Sequence, residues 1–239
     1  MRTRITTGAR ALEYTLQVRG VVTVPDVIPH DMLPDLHKEF DRILSDAEGR
    51  AGSRSPLAQS QTFRDLAASS NVRQLVESIL VPTAFIARSL LFDKRPEANW
   101  DVTWHRDTTI AVRERLDVPG YGPWSIKSGV HHVRPPARVL DHMLTVRLHL
   151  DECDESNGAL LVVPGSHAAN SLDLATPIDA ADCGARSITC PVPAGGALLM
   201  RPLILHASKK ATDTTRRRRV LHLEFAVEPL DGGLQWAPA

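Results

Sequence analysis

"DVTWHRDTTIA", residues 101–111, is rich in Val, Thr, Trp and Ile, the residue types that fit a pleated strand. Read as one strand, it carries His105 and Asp107 two positions apart. Period-two alternation points both to the same face with Cα atoms roughly 6.5–7 Å apart, within reach of a single ion. The run is one of a series. From residue 84 onward the chain reads as strands separated by turn signals: "AFIARSLLFDK", "MLTVRLHLDE", "GALLVVPGS", "RSITCPV", "GGALLMRPLILHAS" and "RRVLHLEFAV".

The texture upstream differs. "GVVTVPDVI" reads as a short strand ending in a turn at Pro25 and Asp26. Leu33, Leu36, Phe40 and Leu44 then recur at helical spacing. "AEGRAGSRSPLAQSQ", residues 47–61, has no sustained period and reads as a long loop, and "SSNVRQLVESIL" reads as a second helix capped by Ser70 or Asn71. Helices first and many strands later predict a mainly β fold, a sheet sandwich or barrel buttressed by N-terminal helices. We expect one domain over 1–239, with the buttress mainly in 27–82, the barrel mainly in 84–228, and a Pro/Gly-rich lid-like loop at about 113–140.

Composition narrows the function classes. Lys plus Arg and Asp plus Glu are both 28, so the net charge is zero and there is no nucleic-acid footprint. No run of 18 apolar residues and no signal-peptide h-region is present, which predicts a soluble cytoplasmic protein without a membrane partner. Three cysteines without CxxC spacing predict free thiols.

A two-residue pair needs a third ligand, and His206, at the end of the apolar run in "MRPLILHASKK", is placed to supply it from another strand. Two imidazoles and a carboxylate form a facial triad that leaves three positions of an octahedral Fe(II) open. An anionic oxo-acid chelating that ion needs a cation for its far carboxylate, and a guanidinium grips a carboxylate through two parallel hydrogen bonds. Arg216–Arg219 offers four such groups. Alternation admits Arg217 or Arg219 as the inward member, and spacing from His206 favours Arg217. Ser208, on the side of its strand that His206 faces, can add a hydroxyl.

With "WHRD" (104–107), "GALLVVPGSH" (158–167) and "HAS" (206–208) followed by Arg217, the chain resembles the phytanoyl-CoA dioxygenase family of iron(II)- and 2-oxoglutarate-dependent oxygenases, from about Val21 to Val227. The resemblance implies a double-stranded β-helix, iron held by His105, Asp107 and His206, and the 5-carboxylate of 2-oxoglutarate held by Ser208 and Arg217. It implies O2 as a further cosubstrate, with release of succinate and CO2. His167 is structural in that family. Members that halogenate replace the ligand carboxylate with a small residue, so Asp107 favours hydroxylation.

Three further assignments rest on alternation alone. Arg88, Thr145 and Arg147 are candidates for the other end of 2-oxoglutarate or for substrate. Arg54, Lys94 and Trp124 are candidate substrate or lid contacts, and the cations among them point to an anionic small molecule, such as an amino-acid derivative or a secondary-metabolite intermediate. Trp104 is expected in the core, and His149 and His222 are expected to be ordinary sheet histidines. The expected oligomeric state is monomer or homodimer. Two rival readings are a cupin-type metalloenzyme that needs no oxo-acid and a non-catalytic binding barrel.

Overall fold

The computed structural model describes residues 8–45, 52–168 and 177–239. In chain order its elements are α1 (Ala9–Arg19), β1 (Val21–Val24), α2 (Leu33–Ser45), β2 (Gly52–Arg54), α3 (Pro56–Gln59), α4 (Gln61–Ala67), α5 (Ser70–Glu77) and β3 (Phe85–Lys94). There follow β4 (Val102–His105), β5 (Ile110–Val112), β6 (Trp124–Lys127), β7 (Val130–Val133), α6 (Ala137–Asp141) and β8 (Leu144–His149). The last are β9 (Leu160–Val162), α7 (Ala180–Arg186), β10 (Ile188–Cys190), β11 (Ala197–Met200), β12 (His206–Ser208) and β13 (Arg218–Ala226).

Among the described residues all the strand pairs are antiparallel, and they form three sheets. A six-stranded sheet runs β1-β11-β8-β13-β3-β2, a four-stranded one β10-β9-β12-β4, and a three-stranded one β5-β7-β6. The fold is thus mainly β with a helical buttress, as the order of the sequence patterns predicts.

Alternation along the large sheet separates two environments. Leu144, Val146 and Leu148 of β8 and Leu221, Leu223 and Phe225 of β13 join Leu36, Phe40, Phe63 and Val72 from the helices in one core. That core covers one face, and each fully buried Leu or Phe there contributes roughly 1.5–3 kcal/mol. The opposite face meets the four-stranded sheet. Val21, Leu198 and Met200 pack on Leu160, Val162 and Cys190 at one end of that interface, and the polar residues Arg147, Arg218, His222 and Glu224 occupy the rest.

Three local expectations are corrected. The stretch 47–61 is not simply a loop: residues 47–51 lie outside the described residues, but Gly52–Arg54 pairs with Phe92–Leu90 of β3, and two short helices begin at Pro56 and Gln61. The cap of α5 is Ser69, whose hydroxyl accepts from the Val72 N–H, one residue earlier than predicted. The 113–140 segment holds the β6–β7 hairpin, with Lys127 opposite Val130 across a two-residue turn in which Ser128 and Gly129 both have positive φ. Among the described residues no helix is long and apolar enough to cross a membrane, and Cys153, Cys183 and Cys190 are free and buried.

Candidate functional site

His105 and His206 stand directly opposite each other on the antiparallel pair β4–β12, with ring centroids 4.1 Å apart. β4 ends at His105, so Asp107 is not on the strand. Beyond the strand end, the Asp107 N–H donates to the Pro202 carbonyl at 2.9 Å. The carboxylate lies 4.0 Å from His105 Nε2 and 3.8 Å from His206 Nε2. One ligand atom from each of the three residues lies within 4.8 Å of the others.

The protonation states fit a cation. The Nδ1 atoms of His105 and His206 face the carbonyls of Thr103 (2.8 Å) and Ile204 (3.0 Å), so each Nδ1–H donates to backbone and each Nε2 keeps its lone pair for a metal. Burial pushes His206 down to about 4, against the pull of Asp107, so its ring is neutral at pH 7. Burial alone would raise the Asp107 pKa, but His206, His222, His105 and Arg88 together hold it below the usual carboxylate range. Two neutral imidazoles and one carboxylate are a suitable donor set for a divalent transition metal.

The three side chains line a cavity of about 390 Å³ that runs between the two larger sheets. Its other walls include Arg54 of β2, Arg88, Leu90 and Phe92 of β3, Trp100, Arg147 of β8, Leu160 of β9, Ser208 of β12, and Arg218, His222 and Glu224 of β13. Ser208 is the centre of a basic pocket. Its hydroxyl donates to the Gly158 carbonyl at 2.9 Å and accepts from Lys94 Nζ (3.0 Å) and Arg218 Nη1 (3.3 Å). Arg218 also donates to the Gly158 carbonyl, and Lys94 lies 5.4 Å from the Trp100 ring centroid. Gly158 has φ +84°, and a Cβ there would stand 2.9 Å from both the Lys209 carbonyl oxygen and Lys94 Nζ, so only glycine lets the cations close on its carbonyl.

Arg217 is not part of this pocket. Its guanidinium is forked onto the wholly buried Asp93 at 2.7 and 2.8 Å and pairs with Asp41 at 2.7 Å, on the helix-facing side of the sheet. Arg219 shares that side and forks onto Asp151. The parity follows from the rest of β13: Leu221, Leu223 and Phe225 enter the helical core, so Arg218, His222 and Glu224 face inward. The signal lies in "LHLEF", where Leu221, Leu223 and Phe225 alternate with the inward His222 and Glu224.

The remaining candidates divide. Arg88 lines the cavity and pairs with Glu224 at 3.1 Å. Arg147 lines it too, donating to His222 Nδ1 at 3.1 Å, while His222 Nε2–H donates to Glu224 at 3.2 Å. Lys94 is wholly buried behind Ser208. Thr145 is buried on the inward face of β8, with its hydroxyl unpartnered, but does not line the cavity. Trp124 lies apart in the three-stranded sheet, under Arg115. Trp104 is only half-buried. His149 is buried with neither nitrogen partnered, and His167 Nε2–H donates to the Gln17 carbonyl at 3.1 Å, packed against Gly20 at the end of α1.

Lys94 gives a pH signature. Burial, then Arg218, hold it at about 8 against an ordinary 10.5, with Asp101 opposing. Its charged form therefore weakens the fold in full below pH 8, and the penalty fades as the folded lysine deprotonates between 8 and 10.5. In urea unfolding across that range, wild type is expected to gain up to about 3 kcal/mol relative to Lys94→Met. A difference independent of pH would show that Lys94 is not held in this desolvated state.

Residues 16–220 match the model of the phytanoyl-CoA dioxygenase family. No curated protein matches the chain. Among solved structures, the apo form of EctD from S. alaskensis aligns at TM-score 0.72 and 20% identity, over 97% of this chain and 82% of that one. The non-heme alpha-ketoglutarate-dependent carbocyclase SnoK from nogalamycin biosynthesis aligns at 0.70 and 16% identity, over 100% and 90%. The epimerase SnoN, solved with Fe3+, alpha-ketoglutarate and nogalamycin RO, aligns at 0.69 and 18% identity, over 96% and 86%. These likenesses show the fold, and the family match, which spans most of the chain, adds the lineage: the chain belongs to the phytanoyl-CoA dioxygenase family.

Proposed function

We propose that the protein is an Fe(II)- and 2-oxoglutarate-dependent oxygenase that hydroxylates a small molecule. One observation carries this reading beyond the family match: Lys94, Arg147 and Arg218 are all buried on the inward face, and none of them forms an ion pair with a described carboxylate. Burying an unpaired cation costs several kcal/mol, so Arg147 and Arg218 on the cavity wall, with Lys94 behind Ser208, mark a place completed by an anion from outside the chain. The Nε atoms of Arg147 and Arg218 are buried without hydrogen-bond partners. A short dicarboxylate fits, with one end toward the metal-binding triad and the other at Arg218 and Ser208.

In this reading His105, Asp107 and His206 hold Fe(II), which supplies oxygen activation coupled to decarboxylation of the oxo-acid to succinate and CO2. Arg218 grips the distal carboxylate, with Ser208 beside it and Lys94 fixing Ser208 from behind. Arg147 and His222 close the wall between this anchor and the triad, and Phe92, Trp100 and Leu160 keep water out. Retention of Asp107 supports hydroxylation. Anaerobic addition of Fe(II) and 2-oxoglutarate is expected to give a weak visible charge-transfer band, and admission of O2 to release succinate. If wild type gives neither band nor succinate, the oxygenase reading is wrong, and the barrel binds its anion without turning it over.

A further inference from the structure

A small cleft adjoins the triad cavity, sharing Arg54, Arg88 and Leu90 with it, and is otherwise lined by Lys127 and His132 among others. Two sheets build it. Arg54 on β2 and Arg88 on β3 come from the six-stranded sheet, and Lys127 on β6 and His132 on β7 come from the three-stranded one.

Three cations, Arg54, Arg88 and Lys127, line the cleft beside Ala237, Pro238 and Ala239, and the nearest acid side chain, Glu224, lies on the triad-cavity side of Arg88. Glu224 answers Arg88 at 3.1 Å and accepts from His222 as well. Lys127 donates only to a neutral group, Thr109 Oγ1, at 3.1 Å. The Arg54 guanidinium bonds to none of the described residues, although its own carbonyl accepts from Gln59. These cations stand in one another's field: burial and then Arg88 lower the Arg54 pKa, and burial, Arg88 and Arg54 lower that of Lys127. His132 is almost wholly buried beside them. Its Nδ1–H donates to the Val130 carbonyl at 3.0 Å, and its Nε2 is buried without a partner. The ring is held neutral by burial and by the same three cations, so Nε2 offers an acceptor for a donor on the ligand.

Solvated arginines and lysines spread apart, whereas these share one cleft, Arg88 and Lys127 part-buried and Arg54 at its exposed rim, with an uncommitted buried acceptor beside them. An oxyanion is the ligand chemistry that such a cluster takes. The cleft also sits on the reaction side of the molecule. Thr109, which steadies Lys127, is two residues beyond Asp107, and Arg88 shares its strand face with Leu90 and Phe92 in the triad cavity. It is distinct from the basic pocket around Ser208, because Arg88 and Lys94 are six residues, about 20 Å, apart along β3.

We propose that this cleft anchors the primary substrate, and that the substrate is an organic acid whose carboxylate or phosphate docks between Arg54, Arg88 and Lys127 while its oxidised carbon lies toward His105, Asp107 and His206. The assignment of the substrate class rests on the oxygenase reading; the anion site itself stands on the cleft.

Saturation-transfer NMR tests it, with Zn(II) replacing iron, with and without saturating 2-oxoglutarate. The probes are phenylacetate, phenyl phosphate and the neutral phenylacetamide. At least one acid is expected to bind ten or more times tighter than the amide, and the tighter of the two acids identifies the anionic group. In Arg54→Gln/Lys127→Gln the preferred acid falls to within about twofold of the amide, while 2-oxoglutarate affinity stays within threefold of wild type. Arg54→Lys, which keeps a charge, retains part of the preference. Equal binding of acids and amide by wild type, or an acid preference that survives the double substitution, overturns the proposal. If the acid preference holds but the protein takes up neither metal nor 2-oxoglutarate, the cleft stands and the oxygenase reading falls.

Discussion

Arg218→Met is expected to weaken 2-oxoglutarate binding by roughly 30-fold to several-thousand-fold, whereas Arg217→Met changes it less than threefold. The larger figure is the effect of removing one member of a desolvated charge pair, about 2–5 kcal/mol, at tenfold per 1.4 kcal/mol. Arg218 is buried against Ser208 and the Gly158 carbonyl, on the wall it shares with the triad. Arg217 is committed to Asp93 and Asp41 on the other face. Stability of the cosubstrate-free protein should move the opposite way. Arg218→Met removes a buried unpaired charge and orphans nothing, because Ser208 still donates to Gly158 and still accepts from Lys94, so its unfolding midpoint rises. Arg217→Met takes the forked partner from wholly buried Asp93 and leaves it Arg95 at 2.8 Å, which lowers stability by about 1–3 kcal/mol. Titration calorimetry and urea unfolding of both variants check all four signs. Tight 2-oxoglutarate binding by Arg218→Met would remove Arg218 from the site.

The contrast between those two arginines shows where sequence reading succeeds and where it stops. The strands carrying the triad, the helical buttress and the triad itself are legible, because each depends on residue type and on periods that the chain displays openly. The inward arginine was misplaced by one residue. Spacing from His206 is a weak guide across a turn such as 209–217, and four consecutive arginines erase the local polarity signal. The neighbours Leu221, Leu223 and Phe225 hold the missing information, since they fix which parity enters the helical core. Other features escaped for different reasons. β2 is three residues long and has no apolar period, so its pairing with β3 is a tertiary event. The β6–β7 hairpin was hidden by surrounding prolines and glycines, although Ser128-Gly129 between two four-residue strands is a two-residue turn signal. Asp107 lies two residues past the end of β4, yet it converges with His105 as the i, i+2 spacing expects.

His105→Ala, Asp107→Ala and His206→Ala are each expected to lower divalent-metal affinity more than 100-fold and to abolish 2-oxoglutarate-dependent O2 uptake, whereas His222→Gln lowers metal affinity less than tenfold. The distinction is physical. His222 lines the same cavity and is as buried as His206. Its electric field also reaches Asp107. Both its nitrogens are occupied, however: Nδ1 accepts from Arg147 and Nε2–H donates to Glu224. His105 and His206 instead spend Nδ1 on their own strands' carbonyls and leave Nε2 near the Asp107 carboxylate. Removing a group that merely orients ligands typically costs 10–100-fold in metal affinity; losing a ligand from a three-residue set exceeds that, and His222, which bonds to no member of the set, falls below it. Equilibrium dialysis with Fe(II) under argon, with thermal unfolding as the control for a folded chain, separates the outcomes. If His222→Gln loses metal as completely as His206→Ala, the donor set extends along β13 toward Glu224, and the facial-triad assignment must be redrawn with a fourth ligand.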